Sequence, residues 1–314
     1  MDPARTFRFR NDDGGDVVVR RWLPAGAVKA SVLIAHGMAE HAARYGRFAA
    51  ALNEAGYAVY APDHRGHGDT AGSPEGLGWA GPDGWNGMVR DVARLADIVR
   101  EEQPHAPLFA FGHSMGSILI QRFVQLHGDA LAGAILSGTT GSAPNLALAI
   151  PVAQLAALGP GARKPSPLLK KMFADFNKPF APQRTGFEWL SRDEAEVQQY
   201  VDDPRCGFAF SNRFLLDTLK GWREVWATEN ERCVPRDLPL LLFSGELDPV
   251  GRNTAGVSEL AERYRSLGLD DVTVVFYPGA RHETLNETNR DDVQRDVVRW
   301  LDARTRALDG EPDA

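Results

Sequence analysis

The pentapeptide Gly112-His113-Ser114-Met115-Gly116 stands between an apolar run that opens after Pro107 and a segment of helical spacing, Ile118 to Leu126. The first run reads as a buried strand and the second as a helix, so the chain must turn from strand to helix within a few residues. Only glycine at both flanks lets backbone and side chains pass so closely, and such a turn throws the Ser114 side chain out above the sheet edge. The Gly-x-Ser-x-Gly pattern alone is weak: with Gly and Ser frequencies near 0.07, a chain of this length yields it by chance on the order of 0.1 times. Its position between strand and helix makes it a nucleophile elbow, and an elbow implies an α/β fold with a mostly parallel central sheet and helices on both faces.

The rest of the chain fits that frame. Thr6 to Arg10 and Asp16 to Leu23 flank the turn signal Asn11-Asp12-Asp13-Gly14-Gly15 and read as an antiparallel hairpin. Ala30 to Ala35 is apolar enough to be buried on both faces, the helical spacing of Tyr45 to Ala55 stops at Gly56, and Tyr57 to Ala61 is the next strand, which completes a βαβ unit. Met88 to Val99 predicts a helix and Gly133 to Ser137 a further buried strand. Beyond this point strand signals vanish and helical spacing dominates, broken by clusters such as Gly159-Pro160-Gly161. We therefore expect a core over residues 1–138, an inserted helical cap over 139–233, and the remainder of the core over 234–314. That remainder carries strands Leu240 to Ser244 and Val272 to Tyr277, then a terminal helix from Asp291 to about Leu308, with a frayed tail from Asp309 to Ala314. The spacing Gly66-x-Gly68-x-x-Ala71 mimics a dinucleotide fingerprint, but Gly72-Ser73-Pro74 continues as loop where a helix would have to start.

A serine hydroxyl needs a histidine to take its proton, and that histidine needs a carboxylate to hold its tautomer. Asp248 follows the strand Leu240 to Ser244 and His282 follows the strand Val272 to Tyr277, giving the chain order Ser114, Asp248, His282. Glu246 competes locally with Asp248. An oxyanion needs two aimed backbone N–H donors. Met115, opening the elbow helix, supplies one candidate, and Met38, in the loop after Ala30 to Ala35, supplies the other. His36, His41, His64, His67 and His113 also fall near predicted strand ends, yet no HExxH spacing is present, so we expect neither a metal nor a cofactor.

Composition excludes more than it selects. A net charge of −7, from 42 acidic and 35 basic residues without a basic block, argues against nucleic acid as a partner. Cys206 and Cys233 are the only cysteines, and two thiols in 314 residues are more often free than a disulfide framework. The first ten residues lack the apolar h-region of a signal peptide, so a soluble cytoplasmic protein is expected. The apolar stretch Leu146 to Leu158, interrupted by Pro151 and Gln154, is too short to span a bilayer and reads as a buried cap helix. Its leucines would wall an acyl pocket, with at most transient lipid contact.

Five motifs in order, His36-Gly37-Met38-Ala39-Glu40-His41 with Arg44-Tyr45, Asp63-His64-Arg65-Gly66-His67-Gly68, the elbow, Ser244-Gly245-Glu246-Leu247-Asp248-Pro249-Val250, and Ala280-Arg281-His282-Glu283-Thr284-Leu285-Asn286-Glu287, resemble the monoacylglycerol lipase and lysophospholipase group of α/β-hydrolases. The resemblance implies Ser114 as nucleophile with Asp248 and His282, Met38 and Met115 as oxyanion donors, and Glu40 and Arg44 near the polar, substrate-binding end of the site. The expected activity is hydrolysis of a small-molecule monoacyl ester through an acyl-enzyme. General or aromatic esterase, thioesterase, proline-iminopeptidase-like amidase and a non-catalytic binding protein stay open beside it, as does the oligomeric state. The acidic cap residues Glu188, Asp193, Glu194 and Glu196 keep the amidase possible, because they could hold a substrate amine.

Overall fold

A computed structural model describes residues 4–143 and 146–309. Eight strands, β1 (Arg5–Arg10), β2 (Asp16–Trp22), β3 (Ala30–Ala35), β4 (Tyr57–Pro62), β5 (Leu108–His113), β6 (Gly133–Ser137), β7 (Leu240–Gly245) and β8 (Val272–Tyr277), form one sheet in the order β1-β2-β4-β3-β5-β6-β7-β8. β1 and β2 pair antiparallel and β2 meets β4 antiparallel; every other pairing is parallel. Strands β3 to β7 are buried along their whole length, as their β-branched and aromatic runs require of a sheet covered on both faces.

Helices α1 (Gly46–Glu54), α2 (Gly84–Glu102) and α3 (Met115–His127) belong to the first half of the core. Between β6 and β7 the chain runs through α4 (Leu146–Ala156), α5 (Pro167–Asn177), α6 (Glu194–Asp202), α7 (Asn212–Val225) and the short α8 (Thr228–Glu231), before α9 (Ala255–Ser266) and α10 (Arg290–Asp309) close the fold. One face of the sheet buries Val92, Leu95 and Val99 of α2, Ile120 and Phe123 of α3 and Leu260 of α9 against Leu33 and Ala110. The opposite face buries Phe48 and Leu52 of α1 with Val297 and Trp300 of α10 against Val32, Ile34 and Phe109. Alternate residues of each strand thus feed two separate cores, as the period of two demands.

The parallel strands change direction of progress between β3 and β5, and the crevice at such a switch point is where open α/β sheets place their sites. α3 starts hard against the end of β3: a Cβ on Gly116 would strike the carbonyl oxygens of Ala35 and His36, and one on Gly112 would strike the Gly116 backbone. This contact explains why α3 begins at Met115, three residues before its apolar spacing does.

Strand bounds read from sequence agree with the structure to within one residue. Helix α2 reaches back to Gly84, because Trp85 packs against Gly221 of α7, and α9 was not foreseen although Val257, Leu260, Ala261 and Tyr264 carry its buried stripe. The reading of Leu146 to Leu158 as a buried helix needs correcting. Ile150 and Ala153 of α4 face inward, whereas Leu148, Val152, Leu155 and Leu158 are 72%, 61%, 72% and 63% exposed. An all-apolar helix is ordinarily covered on every side, but α4 packs on the core through one face and no described residue covers the other. Cys206 is buried, Cys233 exposed, and both are free thiols. No described helix is long and apolar enough to cross a membrane. The expected frayed tail lies, beyond Asp309, outside the described residues.

The Gly116 contact yields a direct expectation. Gly116→Ala forces backbone apart at the elbow and lowers stability by about 2–3 kcal/mol, the upper range for overpacking. A urea midpoint equal to wild type would contradict the close passage of α3 over β3.

Candidate active site

Ser114 sits between β5 and α3 with φ 53° and ψ −121°, a conformation a non-glycine residue holds only at a cost of order 1–3 kcal/mol. Its neighbours impose it. The Ser114 N–H donates to Ser137 O at 2.9 Å, extending the β5–β6 register past the strand end, and the Ser117 hydroxyl donates to Ser114 O at 2.6 Å. Amides of a helix's first turn have no intrahelical acceptor, so the Met115 N–H at the start of α3 is available to a negative group beside Ser114. The loop after β3 closes in from the other side: a Cβ on Gly37 would stand 3.2 Å from Ser114 Cβ. Met38 follows directly, half-buried.

His282 and Asp248 meet at 2.9 Å, Nδ1 to Oδ1, both almost wholly buried. Asp248 also accepts from the Ser244 hydroxyl and from the Val250 N–H, at 2.9 Å each. Burial alone would raise the Asp248 pKa, but the charge of His282 and these hydrogen bonds outweigh it and hold the carboxyl below its usual range. Burial would likewise lower the His282 pKa, and the Asp248 charge and hydrogen bond reverse that, so the imidazole titrates above its ordinary value. An ionised carboxylate only accepts, so Nδ1 carries the hydrogen and Nε2 presents its lone pair. Glu246 points to solvent and accepts from the Gly279 N–H, away from His282.

The His282 ring is packed between Trp189 at 5.0 Å and His113 at 4.7 Å, centroid to centroid, and Gly138 leaves room for both imidazoles. Burial, with the neighbouring His282 charge, pushes His113 down to about 4, and burial also lowers His36, His64 and His67. These four are neutral at pH 7. His36 Nδ1 lies 2.8 Å from Gly37 O and its Nε2 accepts from the His64 N–H at 3.0 Å, which pins the loop after β3 to the loop after β4. Asp63 adds a second stitch by accepting from the amides of Ala42 and Asp69. Among the described residues, His41, Asp203 and Cys206 form the one group whose ligand atoms lie close enough to share an ion. Asp203 is already paired with His41 and Arg205, and burial pushes the Cys206 thiol up, away from a thiolate.

Glu40 and Arg44 come to the site from behind. Glu40 accepts from the Gly37 N–H at 2.5 Å, from the Tyr45 hydroxyl at 2.9 Å and from Arg44 at 2.7 Å, while Arg44 forks onto Glu283 at 2.7 and 2.6 Å. Their charges are met within the protein, by each other and by Glu283, and through the Gly37 N–H Glu40 supports the loop after β3. Glu283, Trp189 and Tyr200 escaped the sequence reading. Glu283 stands beside His282 in the sequence, but nothing in the chain pairs it with Arg44; Trp189 and Tyr200 lie in an insertion without a legible motif.

A cavity of about 560 Å³ opens next to Ala39 and is lined by Leu169, Phe173, Phe187, Tyr200, Phe208 and Phe210. The expected wall of Leu148, Leu155 and Leu158 faces outward instead. A second cavity, about 500 Å³, lies near Arg304 and Asp271 at the opposite end of the strands, and these two charges pair with each other.

Turnover that uses neutral His282 falls as pH drops through its raised pKa, so the acid limb of kcat/KM should have its midpoint above about 6.5. Asp248→Asn removes the charge that overcomes burial, which should carry that midpoint downward and cost on the order of 10⁴ in kcat. A wild-type midpoint well below that of a free imidazole would contradict the pairing.

Residues 26–289 match the family model described as Serine aminopeptidase, S33. Over 296 residues the chain is 29% identical to the monoacylglycerol lipase of Mycolicibacterium smegmatis, covering 93% of this chain and 95% of that protein. It is 28% identical to the monoglyceride lipase of Mus musculus, covering 95% and 90%. A thermostable carboxyl esterase from Bacillus coagulans, crystallised with glycerol, superposes with a TM-score of 0.90 at 29% identity, over 97% of this chain and all of that one. With the model spanning most of the chain and an elbow at the switch point of its sheet, the chain belongs to the serine aminopeptidase, S33, family of α/β-hydrolases.

Proposed function

We propose that the protein is a serine carboxylic-ester hydrolase of the monoacylglycerol lipase type. The observation that carries this reading is the strained, half-buried elbow serine at the same end of the parallel strands as a buried His282–Asp248 pair, whose imidazole packs on His113, the residue next to Ser114. Ser114 Oγ attacks the ester carbonyl carbon as its proton passes to His282 Nε2, and the carbonyl oxygen becomes an oxyanion facing the amides of Met38 and Met115. Collapse breaks the bond to the alcohol, which leaves with the proton from His282. Water then attacks the acyl-enzyme, gives its proton to His282, and the second collapse releases the carboxylic acid as Ser114 regains its hydrogen. Relatives named as monoacylglycerol lipases support a monoester as substrate.

The helical segment 139–233 serves as cap, and the apolar cavity next to Ala39 holds the acyl chain. The aminopeptidase named by the family is the weaker reading, because the cap carboxylates that would hold a substrate amine are spent. Glu188 accepts from Asn177 and Thr185, Asp193 caps α6 and pairs with Arg290, Glu194 pairs with Arg184, and Glu196 with Arg47. Free thiols at Cys206 and Cys233 suit a reducing cytoplasm. The outward leucines of α4, above the cluster that contains Met38 and Met115, give the cap a transient lipid contact.

Three expectations follow from this reading. A fluorophosphonate should label Ser114 alone, with labelling lost in Ser114→Ala. Because each buried acyl CH₂ is worth about 0.8 kcal/mol, kcat/KM should climb from acetyl to roughly octanoyl monoesters and exceed that for triglycerides; a preference for acetyl esters, or for Pro-arylamides, would replace it by a general esterase or an aminopeptidase. Leu148→Ser with Leu155→Ser should slow turnover of monoacylglycerol held in vesicles several-fold and leave a soluble p-nitrophenyl ester unaffected. Equal losses on both substrates would remove the lipid contact from the reading.

A further inference from the structure

The carbonyl of Ala39 receives two hydrogen bonds, from the Tyr200 hydroxyl at 2.9 Å and the Gly207 N–H at 3.0 Å. Both donors come from the insertion. Ala39 itself has φ 59°, a left-handed conformation that a residue with a Cβ takes up only when its surroundings impose it. Two residues earlier, the Gly37 N–H is tied to the buried Glu40 carboxylate. The amide of Met38 therefore lies on a stretch pinned at both ends, by Glu40 from within the core and by Tyr200 with Gly207 from the cap. Tyr200 is 5% exposed, and its ring packs under the Arg44 guanidinium at 4.9 Å, so the same arginine that holds Glu40 also fixes the phenol.

We propose that Tyr200 is a positioning residue for the reaction: its hydroxyl, reaching across from α6, holds the left-handed turn at Ala39 and so aims the Met38 N–H at the developing oxyanion. This rests on the ester-hydrolase reading above. It makes α6 part of the machinery that sets the rate, because withdrawing that helix releases one end of the oxyanion loop.

The test compares wild type, Tyr200→Phe, Glu40→Gln and the double variant on a soluble p-nitrophenyl ester. It adds the affinities of an alkyl trifluoromethyl ketone, which forms a hemiketal oxyanion on serine, and of the matching methyl ketone. Tyr200→Phe keeps the ring and removes one neutral hydrogen bond, so kcat should fall roughly five- to tenfold with KM unchanged within about twofold. Trifluoromethyl ketone affinity should fall by the same factor, while methyl ketone affinity, melting temperature and the fraction titrated by fluorophosphonate stay at wild-type values. The double variant should lose less than the product of the single losses, since both bonds act on one loop. An unchanged kcat, a rise in KM alone, or a loss that tracks the titrated fraction would overturn the proposal. A wild-type enzyme that neither hydrolyses esters nor labels at Ser114 would instead refute the hydrolase reading.

Discussion

The close passage of α3 over the end of β3 is the constraint on which the site depends. With no Cβ at Gly112 and Gly116, the elbow can fold back on itself and the helix can start against the carbonyls of Ala35 and His36. That contact does two things at once. It brings the first free amides of α3 next to the loop after β3, and it drives Ser114 into a backbone conformation that the β5–β6 register then holds through Ser137. Strain at one residue is sustained by packing across the whole sheet, the usual way in which a fold stores it.

Electrostatics around the elbow follow from burial. His36, His64, His67 and His113 lie without a carboxylate partner of their own, so desolvation keeps them neutral, and they act as spacers and hydrogen-bonding pins. His282 is equally buried but faces Asp248, and that one contact reverses the sign of its shift. A few ångströms thus separate an inert imidazole, His113, from one poised to accept a proton. The Glu40–Arg44–Glu283 cluster plays a related part: it is a buried ion network whose members satisfy each other and join the loop after β3 to the loop after β8. Such a network adds little net stability, since desolvation offsets most of the attraction, and its value lies in geometry.

The insertion between β6 and β7 divides into two unlike halves. Residues 188–207 are bonded to the core's loops: Leu190 O accepts from the Glu283 N–H, Trp189 O from the His282 N–H, and Tyr200 and Gly207 donate to Ala39. Helix α4 has no such anchorage on its outer face and exposes leucines there. One half of the insertion is hydrogen-bonded to the loops around the candidate site, and the other leaves an apolar face uncovered.

What the sequence determined on its own are the features with local or periodic signatures. The strands announce themselves as short apolar runs between turn residues, the elbow as a strand–turn–helix pentapeptide, and Asp248 and His282 as an acid and an imidazole placed in order just beyond strand ends. Chain order fits Glu246 as well as Asp248, so the choice between them needed the geometry of one loop. Tertiary structure alone decided the rest, because it depends on which distant groups are brought together. Glu40 and Arg44 read as open charges until Glu283, 239 residues away from Arg44, is seen to close the pair. Tyr200 and Trp189 carry no motif, since a hydroxyl on a carbonyl or a ring on an imidazole leaves no periodic trace. The outer leucines of α4 look like core in sequence, for hydrophobicity records how apolar a face is and only packing decides whether a partner covers it.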